Sequence, residues 1–558
     1  MPDFAAAHSN RGNILRALGR LDEAEASCRR AIAIEPGLAN AHNNLGTVLR
    51  DTGRLEEAAA ACRRAVELKS DFAMAYNNLG AVSHMQGRAG AAAACCERAL
   101  AVDRNLALAH DNLGLALATL GEFARARQHH EAAIAQAPGT ARERREAGSW
   151  SNFIFTVDHD PASDETTLQR LRKEWARTIP DEGQRTKRRF PNTRDPGRRL
   201  RIGYVSGDFG RHSASAGFEP VLRSHNRTDF ELYLYSNRAA DDDNTARFRE
   251  YAAAFRPVSA LDDDTLEALI LSDAIDILVD LSGHTDGGRL PVFARKPAPI
   301  QVTAWGYPTG TGLSAVDYLF ADPVAIPEDQ RRHFAERIWD LPSIVPFRLP
   351  DLDLEPNRLP ALSRGHVTFG CFNRLIKVWP ALPMFALLLK EIPDARLILK
   401  ARELGEAESC DRVLRVLADH GTSSERIELR GPSSTHDHMA ALHDVDIALD
   451  SFPQTGGVTT LETLWLGVPV VTMTGAIVSS RIAASILSTL GQPQLIASNR
   501  ADYIAIARRL AGDLDALAEF RSTMRDRLAG SIICDASRYA VEVERAYHAM
   551  WRRWCSGG

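Results

Sequence analysis

Cysteine is scarce. Eight occur in 558 residues, at 28, 62, 95, 96, 371, 410, 534 and 555, with no CxxC pair and no Cys/His cluster spaced to ligate a metal. That excludes a disulfide framework and predicts buried thiols in a reducing compartment. No apolar run approaches the roughly 20 residues needed to span a bilayer, so no membrane partner is expected. Neither sign of charge dominates, the net charge being −5, which argues against a nucleic-acid or polyanion binder. The opening Met1-Pro2-Asp3-Phe4 lacks the basic-then-apolar order of a secretory signal. With 45% hydrophobic and 25% charged residues, the chain is neither disordered nor fibrous. Its length allows three or four compact units at roughly 150 residues each. The expectation is a soluble, cytoplasmic, multidomain protein.

A repeat is present. Gly12, Gly46, Gly80 and Gly114 are 34 residues apart, as are Gly19, Gly53, Gly87 and Gly121, and Ala31, Ala65, Ala99 and Ala133. A helix-length segment lies between the glycine columns and an Ala-rich one follows the second. Glycine permits close helix approach and sharp turns, and alanine permits tight helix packing. The 34-residue helix-turn-helix period resembles the tetratricopeptide repeat and predicts four copies over residues 5–140, forming an α-superhelix.

Asn10, Asn44, Asn78 and Asn112 also recur at 34. Two readings are open for this column. The amides stabilise the turn between repeats, or they form a ladder that captures the backbone of an extended polypeptide, since an amide both donates and accepts.

Residues 141–198 are irregular. Arg142–Arg145 is charged, Trp150–Val157 and Leu168–Trp175 have helical apolar spacing, and 185–199 mixes Arg with Pro and Asn. This predicts a helical adaptor and then an exposed linker, with no nucleic-acid role because no aromatics interleave with the basic residues. After Arg199, β-rich runs alternate with helix-length segments: Leu200–Ser206, Phe230–Ser236, Ile275–Leu281, Ile300–Ala304 and Val316–Phe320. A Pro-rich break at Leu341–Pro360 precedes a second series: Val367–Phe372, Arg396–Lys400, Arg426–Leu429, Val445–Leu449 and Val468–Met473. Such alternation indicates βα units and parallel sheets. The expected fold class is therefore α plus α/β. Two Rossmann-like domains follow the superhelix, at 199–345 and 367–535, joined by a linker at 346–366, with a C-terminal helix in 536–558. In such sheets ligands sit beyond the carboxyl ends of the strands.

Four strand ends carry polar residues that a core does not need. They are Gly203–His212, Asp280–Thr285, Gly370–Lys377 and Gly456–Glu462. In the last, the glycine pair lets backbone N–H groups approach a phosphate, Thr459 and Thr460 add hydroxyls, and the helix that follows adds a positive dipole. The alternative is an ordinary loop with Thr459 or Thr460 as helix cap. No Gly-Lys-Ser/Thr follows these glycines, so this is not a Walker motif. Lys377, in a polar loop after a strand, is either a surface lysine or a counter-charge for a diphosphate. His212 and His284 end strands, where a histidine acts as general base, bonds a sugar hydroxyl, or simply completes the structure. His438 either stacks on a base or marks a helix start. Asp444-Val445-Asp446 has the form of a metal-binding DxD, but it leads straight into a strand and reads as a strand entry. No metal is expected.

Together with the repeats, LRIGYVSGDFGRHS (200–213), IDILVDLSGHTDGGRL (275–290), FARKPAPIQVTAWGYPTGTGL (293–313), VTFGCFNRLIKV (367–378) and LETLWLGVPVVTMTG (461–475) resemble the tetratricopeptide-linked protein O-GlcNAc transferases. That family also includes SPINDLY-type O-fucosyltransferases. The resemblance spans nearly the whole chain. It implies a GT-B fold and inverting, metal-independent transfer from a nucleotide sugar to Ser/Thr hydroxyls of proteins held by the repeats, with no cofactor beyond the donor.

It also implies roles for single residues. Lys377 stabilises the leaving diphosphate, and Gly456, Gly457, Thr459 and Thr460 hold the phosphates. Glu462 meets the ribose, Asn373 and Arg374 line the donor pocket, and His438 contacts the nucleotide. His212 is the family's proposed base, while Asp208, His284 and Thr285 lie near sugar and acceptor. Departures are Gln454-Thr455 in the loop Phe452–Gly457, where many relatives have Pro-Tyr-Asn-Gly, and Trp379, where a small or polar residue is usual. Ser479–Ser485 resembles the GlcNAc branch and His436–Met439 the fucose branch. UDP-GlcNAc is the expected donor and GDP-fucose the alternative, while a peptide-binding scaffold without turnover is the rival of another class.

Overall fold

The glycine columns set the geometry of the first 136 residues in a computed structural model that describes residues 4–136, 148–179, 188–238 and 240–557. The charged stretch Arg142–Arg145 and residues 185–187 of the basic segment lie outside the described residues. Eight helices form four antiparallel pairs: α1 (Ala5–Ala17) with α2 (Leu21–Ile34), α3 (Ala39–Asp51) with α4 (Leu55–Leu68), α5 (Ala73–Met85) with α6 (Ala89–Val102), and α7 (Ala107–Thr119) with α8 (Phe123–Gln136). Gly19, Gly53, Gly87 and Gly121 turn each pair with φ between 73° and 87°, a left-handed conformation that side chains resist.

The other glycine column has a partner column. A Cβ on Gly12, Gly46 or Gly80 would lie 2.4, 2.4 or 2.6 Å from the sulfur of Cys28, Cys62 or Cys96. Three of the eight cysteines thus follow the 34-residue period as fully buried helix-contact residues, a pattern hidden when cysteines are counted only as ligands or disulfides. In the fourth repeat His130 takes the place of the thiol. It is buried against Gly114 and bonded to Asp111 at 2.9 Å and Thr156 at 3.0 Å. Gly46→Ala is expected to cost about 1–3 kcal/mol by overpacking, and Cys62→Ala in the same chain is expected to recover part of the lost melting temperature.

Helices α9 (Ser149–His159) and α10 (Glu165–Arg177) follow. The chain divides near Val157 into two compact units, with Asp158 onward, apart from residues 405–409, forming the second. That unit holds two parallel sheets. The first contains β1 (Leu200–Ser206), β2 (Phe230–Ser236), β3 (Ala254–Pro257), β4 (Ile277–Asp280), β5 (Ile300–Thr303), β6 (Tyr318–Ala321) and β7 (Arg337–Asp340), in the order 3-2-1-4-5-6-7. The second contains β8 (Thr368–Cys371), β9 (Arg396–Lys400), β10 (Ile427–Arg430), β11 (Ile447–Leu449), β12 (Val470–Met473) and β13 (Ile496–Ala497), in the order 10-9-8-11-12-13. In both, strand order reverses beside the first strand, which leaves a crevice at the carboxyl ends where a ligand sits. β3, β7 and β13 escape the sequence patterns because they are short edge strands without a hydrophobic run.

Two features differ from expectation. The C-terminal helix Ala536–Cys555 is part of the first sheet's core, where Tyr539, Val543, Tyr547 and Trp551 are fully buried. Residues 188–199 are a docked strap and not a free linker. Arg188 pairs with Glu267 at 2.6 Å, Arg194 and Arg198 each lie 4.6 Å from the rings of Trp554 and Trp551, and Trp551 donates to the Asp195 carbonyl at 2.9 Å. Cation–π stacking and ion pairing tie down a segment whose composition alone suggests solvation. A third apolar cluster takes residues from both sheets, including Leu319, Ile344 and Phe347 with Val445, Leu461 and Val470, and so joins the two lobes.

Candidate active site

Each lobe builds its crevice around a buried aspartate at a strand end. Asp280 ends β4 and accepts from the Ser282 N–H at 3.1 Å, the Gly283 N–H at 3.0 Å and Thr303 Oγ1 at 2.8 Å. Asp450, one residue past β11, accepts from the Ser451 N–H at 2.9 Å, the Gly456 N–H at 2.8 Å, Asn373 Nδ2 at 3.2 Å and Thr472 Oγ1 at 2.7 Å. Burial raises both carboxyls above their ordinary values, and these donors oppose the rise. The sequence reading missed Asp450. Its signal in the sequence is an acidic residue at the end of an apolar strand, close after the Asp444/Asp446 pair. Those two are structural, Asp444 pairing with Arg364 and Arg430, and Asp446 accepting from the Ala361 and Thr368 N–H groups.

Asp450 assembles the second lobe's polar residues. Asn373 donates to it and accepts from Thr459 Oγ1 at 3.0 Å. Thr459 and Thr460 therefore do not cap the helix Val458–Trp465, whose N-cap is Gly457. The Gly456 N–H is already given to Asp450, while the first turn of that helix carries backbone N–H groups and a positive dipole suited to an anion. Lys377 lies in the one-turn helix Leu375–Val378, not in a loop, and its Nζ donates to the Thr455 carbonyl at 3.2 Å. Burial pulls its pKa down to about 8, with the Asp450 carboxylate opposing the drop and Arg374 adding to it. Arg374 itself is exposed and faces Glu403 at 3.6 Å. Glu462 is pushed up to about 7 by burial, with no opposing charge among the described residues. His438, in the helix Thr435–Ala440, packs against the Phe372 ring at 5.7 Å, its pKa lowered by burial and by Lys400.

In the first lobe His212 caps the short helix Ser213–Gly217 and is half exposed, its Nδ1 3.2 Å from Asp208 Oδ1. The cap bond uses the same ring nitrogen, Nδ1 accepting from the Ala214 N–H at 3.3 Å. Burial raises Asp208, and His212 opposes the rise. His284 is buried, with its pKa pushed down to about 3, and is therefore neutral. Its Nε2 bonds the Thr311 carbonyl at 2.9 Å and so must carry the proton, leaving Nδ1 as a buried acceptor without a partner among the described residues. Thr285 turns back to bond the Ser282 carbonyl at 2.7 Å.

In the repeats, the asparagine column bonds between neighbours. Asn44 Nδ2 donates to the Ser9 carbonyl at 3.2 Å, Asn78 to Asn43 Oδ1 and Asn112 to Asn77 Oδ1 at 2.8 Å each. Asn10, in the first repeat, is exposed. The amide donors thus tie the first helices of neighbouring repeats together, and Asn78 is buried while Asn44 and Asn112 stay partly accessible. Among the described residues no group of three or more His, Cys, Asp or Glu is placed to hold a metal, and no helix is long and apolar enough to cross a membrane.

Comparison with known proteins gives a consistent picture. The sequence profile described as glycosyl transferase family 41 matches residues 184–345 and 357–543, and tetratricopeptide profiles match 3–71 and 43–107. A protein of Arabidopsis thaliana named probable UDP-N-acetylglucosamine–peptide N-acetylglucosaminyltransferase SPINDLY is 37% identical over 375 residues, covering 66% of this chain and 41% of that protein. A Caenorhabditis elegans UDP-N-acetylglucosamine–peptide N-acetylglucosaminyltransferase is 25% identical over 480 residues, covering 65% and 41%. This chain spans about two fifths of the length of the curated relatives it matches. The structure of a Thermobaculum terrenum O-GlcNAc transferase mutant superposes with a TM-score of 0.86 at 35% identity, covering 93% of this chain and 98% of that one.

Proposed function

The chain belongs to glycosyl transferase family 41, and on that premise we propose that it is an inverting protein O-glycosyltransferase. It moves GlcNAc from UDP-GlcNAc to Ser/Thr hydroxyls of protein acceptors, without a metal ion. The observation that carries this reading is the second-lobe constellation. A lysine, a Gly-Gly turn and a helix N-terminus converge on one loop through Asp450, as a departing diphosphate requires.

In the proposed reaction the acceptor hydroxyl oxygen attacks the anomeric carbon on the face opposite the diphosphate. The bond from that carbon to the phosphate oxygen breaks, and its electron pair leaves on the diphosphate beside Lys377. The hydroxyl proton passes to the His212 imidazole, which lies beside Asp208. The repeats bind the acceptor polypeptide, and the cytoplasm is the proposed compartment.

A calorimetric or thermal-shift titration with UDP, GDP, UDP-GlcNAc and GDP-fucose, in EDTA, tests the donor. Selective stabilisation by the uridine pair supports the reading. Selective response to the guanosine pair moves the assignment to the fucose donor that His436–Met439 suggests. No response to any of them leaves a peptide-binding scaffold.

Two further outcomes are expected. UDP affinity rises as pH climbs through about 7, where Glu462 gains the charge that accepts a ribose hydroxyl. It falls above about 8, where Lys377 loses its charge. The profile is therefore a bell between these values, and UDP titrations from pH 6 to 9.5 measure it. Replacing Asn44, Asn78 and Asn112 together by alanine is expected to weaken protein acceptors more than short peptides. It should also cost roughly 1 kcal/mol per lost inter-repeat bond. Transfer assays on both acceptor types beside a melting curve separate the two effects.

A further inference from the structure

Helix α10 is bonded to both lobes, and its first-lobe bonds come from three side chains. Gln169 Nε2 donates to the Thr309 carbonyl at 2.7 Å, Lys173 Nζ to the His333 carbonyl at 2.6 Å, and Arg172 Nη2 to Thr309 Oγ1 at 2.9 Å. Arg172 is itself buried and paired with Asp158 at 2.6 Å, and Asp158 accepts the hydroxyl of Tyr307, two residues before Thr309. Helix α10 is therefore pinned to the loop that follows β5.

Glu165, the first residue of α10, reaches the other lobe. Its Oε2 accepts from the Val478 N–H at 3.0 Å, in the loop that follows β12, and its Oε1 accepts from Gln169 Nε2 at 2.7 Å. Glu165 is 4% exposed. An acid in the first turn of a helix gains from the dipole without being buried, and burying it costs free energy unless its bonds are made. Burial raises the Glu165 carboxyl, with Arg172, Gln169 and the Val478 N–H opposing the rise.

The loop it holds leads to the lysine of the candidate site. Ser479, next to Val478, accepts at its carbonyl both the Thr455 N–H at 3.0 Å and Thr455 Oγ1 at 2.9 Å. Thr455 Oγ1 accepts in turn from the Ala483 N–H at 3.3 Å, and the Thr455 carbonyl accepts from Lys377 Nζ. One line of bonds thus runs from the first lobe through Glu165, the Val478–Ser479 peptide and Thr455 to Lys377. We propose that Glu165 is a positioning residue for sugar transfer, which fixes the 474–481 loop against Thr455 and so sets where Lys377 meets the diphosphate of the donor. The proposal rests on the nucleotide-sugar reading above.

UDP titrations of the full chain, each beside a ligand-free melting curve, test it. Glu165→Met keeps the length but removes the acceptor, and Thr455→Val removes the hydroxyl bonds further along the line. Each is expected to weaken UDP about tenfold. The double variant is expected to lose no more than about tenfold, whereas independent sites multiply to about a hundredfold. Lys173→Met, which frees the same helix from His333, is expected to leave UDP affinity within about twofold. The second readout is the alkaline limb of UDP binding. Lys377 faces Asp450, Arg374 and Cys371, and burial holds its pKa down at about 8. A loosened loop admits water and relieves that burial, so Glu165→Met is expected to move the limb to higher pH. A variant that only destabilises the fold leaves the limb in place. If Glu165→Met does not fold, Glu165→Asp takes its place, keeping the charge beside Arg172 but stopping one methylene short of Val478. Unchanged UDP affinity in the Glu165 variant, losses that multiply, an equal loss in Lys173→Met, or an unmoved limb overturns the proposal. If the wild-type chain binds GDP and not UDP, the same comparisons are made with GDP, since the diphosphate is common to both. If it binds neither, the donor reading and this inference fall together.

Discussion

Lys377→Ala is expected to lower sugar transfer by about 10²–10³-fold while leaving the melting temperature within roughly 2 °C of the parent chain. The first part follows from charge. A unit pair 4 Å apart at an effective dielectric near 20 is worth ~4 kcal/mol, and each 1.36 kcal/mol on a barrier is a factor of ten. The second part follows from what Lys377 does in the resting fold. Its ammonium is partly desolvated, with its pKa drawn down to about 8, and it bonds one loop carbonyl. Such a group contributes little to folding, because relief from desolvation offsets the lost bond. Single-turnover transfer and a melting curve on the same preparation check both parts. Wild-type turnover in this variant would remove Lys377 from the leaving-group role. A large fall in melting temperature would make it a structural lysine.

The second large effect is expected at Asp450, which the sequence reading did not select. Asp450→Ala strands two backbone N–H groups, the Asn373 amide and the Thr472 hydroxyl in a buried loop. At ~1–3 kcal/mol for each unsatisfied group and with partial relaxation, the cost is about 3–5 kcal/mol. The loop so released carries Gly456 and the Thr455 carbonyl that holds Lys377, so UDP affinity is expected to fall by about 100-fold or more. Asp280 supplies the control. It is the same kind of strand-end cap in the other lobe, bonded to the Ser282 and Gly283 N–H groups and to Thr303. Asp280→Ala should cost comparable stability while leaving UDP affinity nearly unchanged. Denaturant titration and UDP calorimetry on the two variants make the comparison. If both lose UDP equally, Asp450 acts through global stability and not through the loop.

Asp450 also shows where reading a sequence stops. Lys377, the glycine pair and the strand-end histidines are legible because each is the wrong kind of residue for a strand terminus. Asp450 is equally polar, but its importance lies in four donors from residues 373, 451, 456 and 472. Nothing in a linear pattern announces that they meet. The same holds for Asp158. It sits in a helix of ordinary apolar spacing and matters because Arg172 and Tyr307 close around it. The cysteines make the opposite case, since Cys28, Cys62 and Cys96 keep the 34-residue period in plain view.

The sequence by itself determined the repeat array, the alternation that yields two parallel sheets, and the family to which the chain belongs. These rest on periodicity and local composition, which a helix or strand imposes on its own residues whatever it packs against. Tertiary structure alone decided that the basic strap and the C-terminal helix close the first lobe, that the asparagine column bonds repeat to repeat, and that Asp450 gathers four donors. Each depends on the direction of a hydrogen bond or the burial of a charge between residues far apart in the chain. Those are properties of the folded environment and not of the residues that enter it.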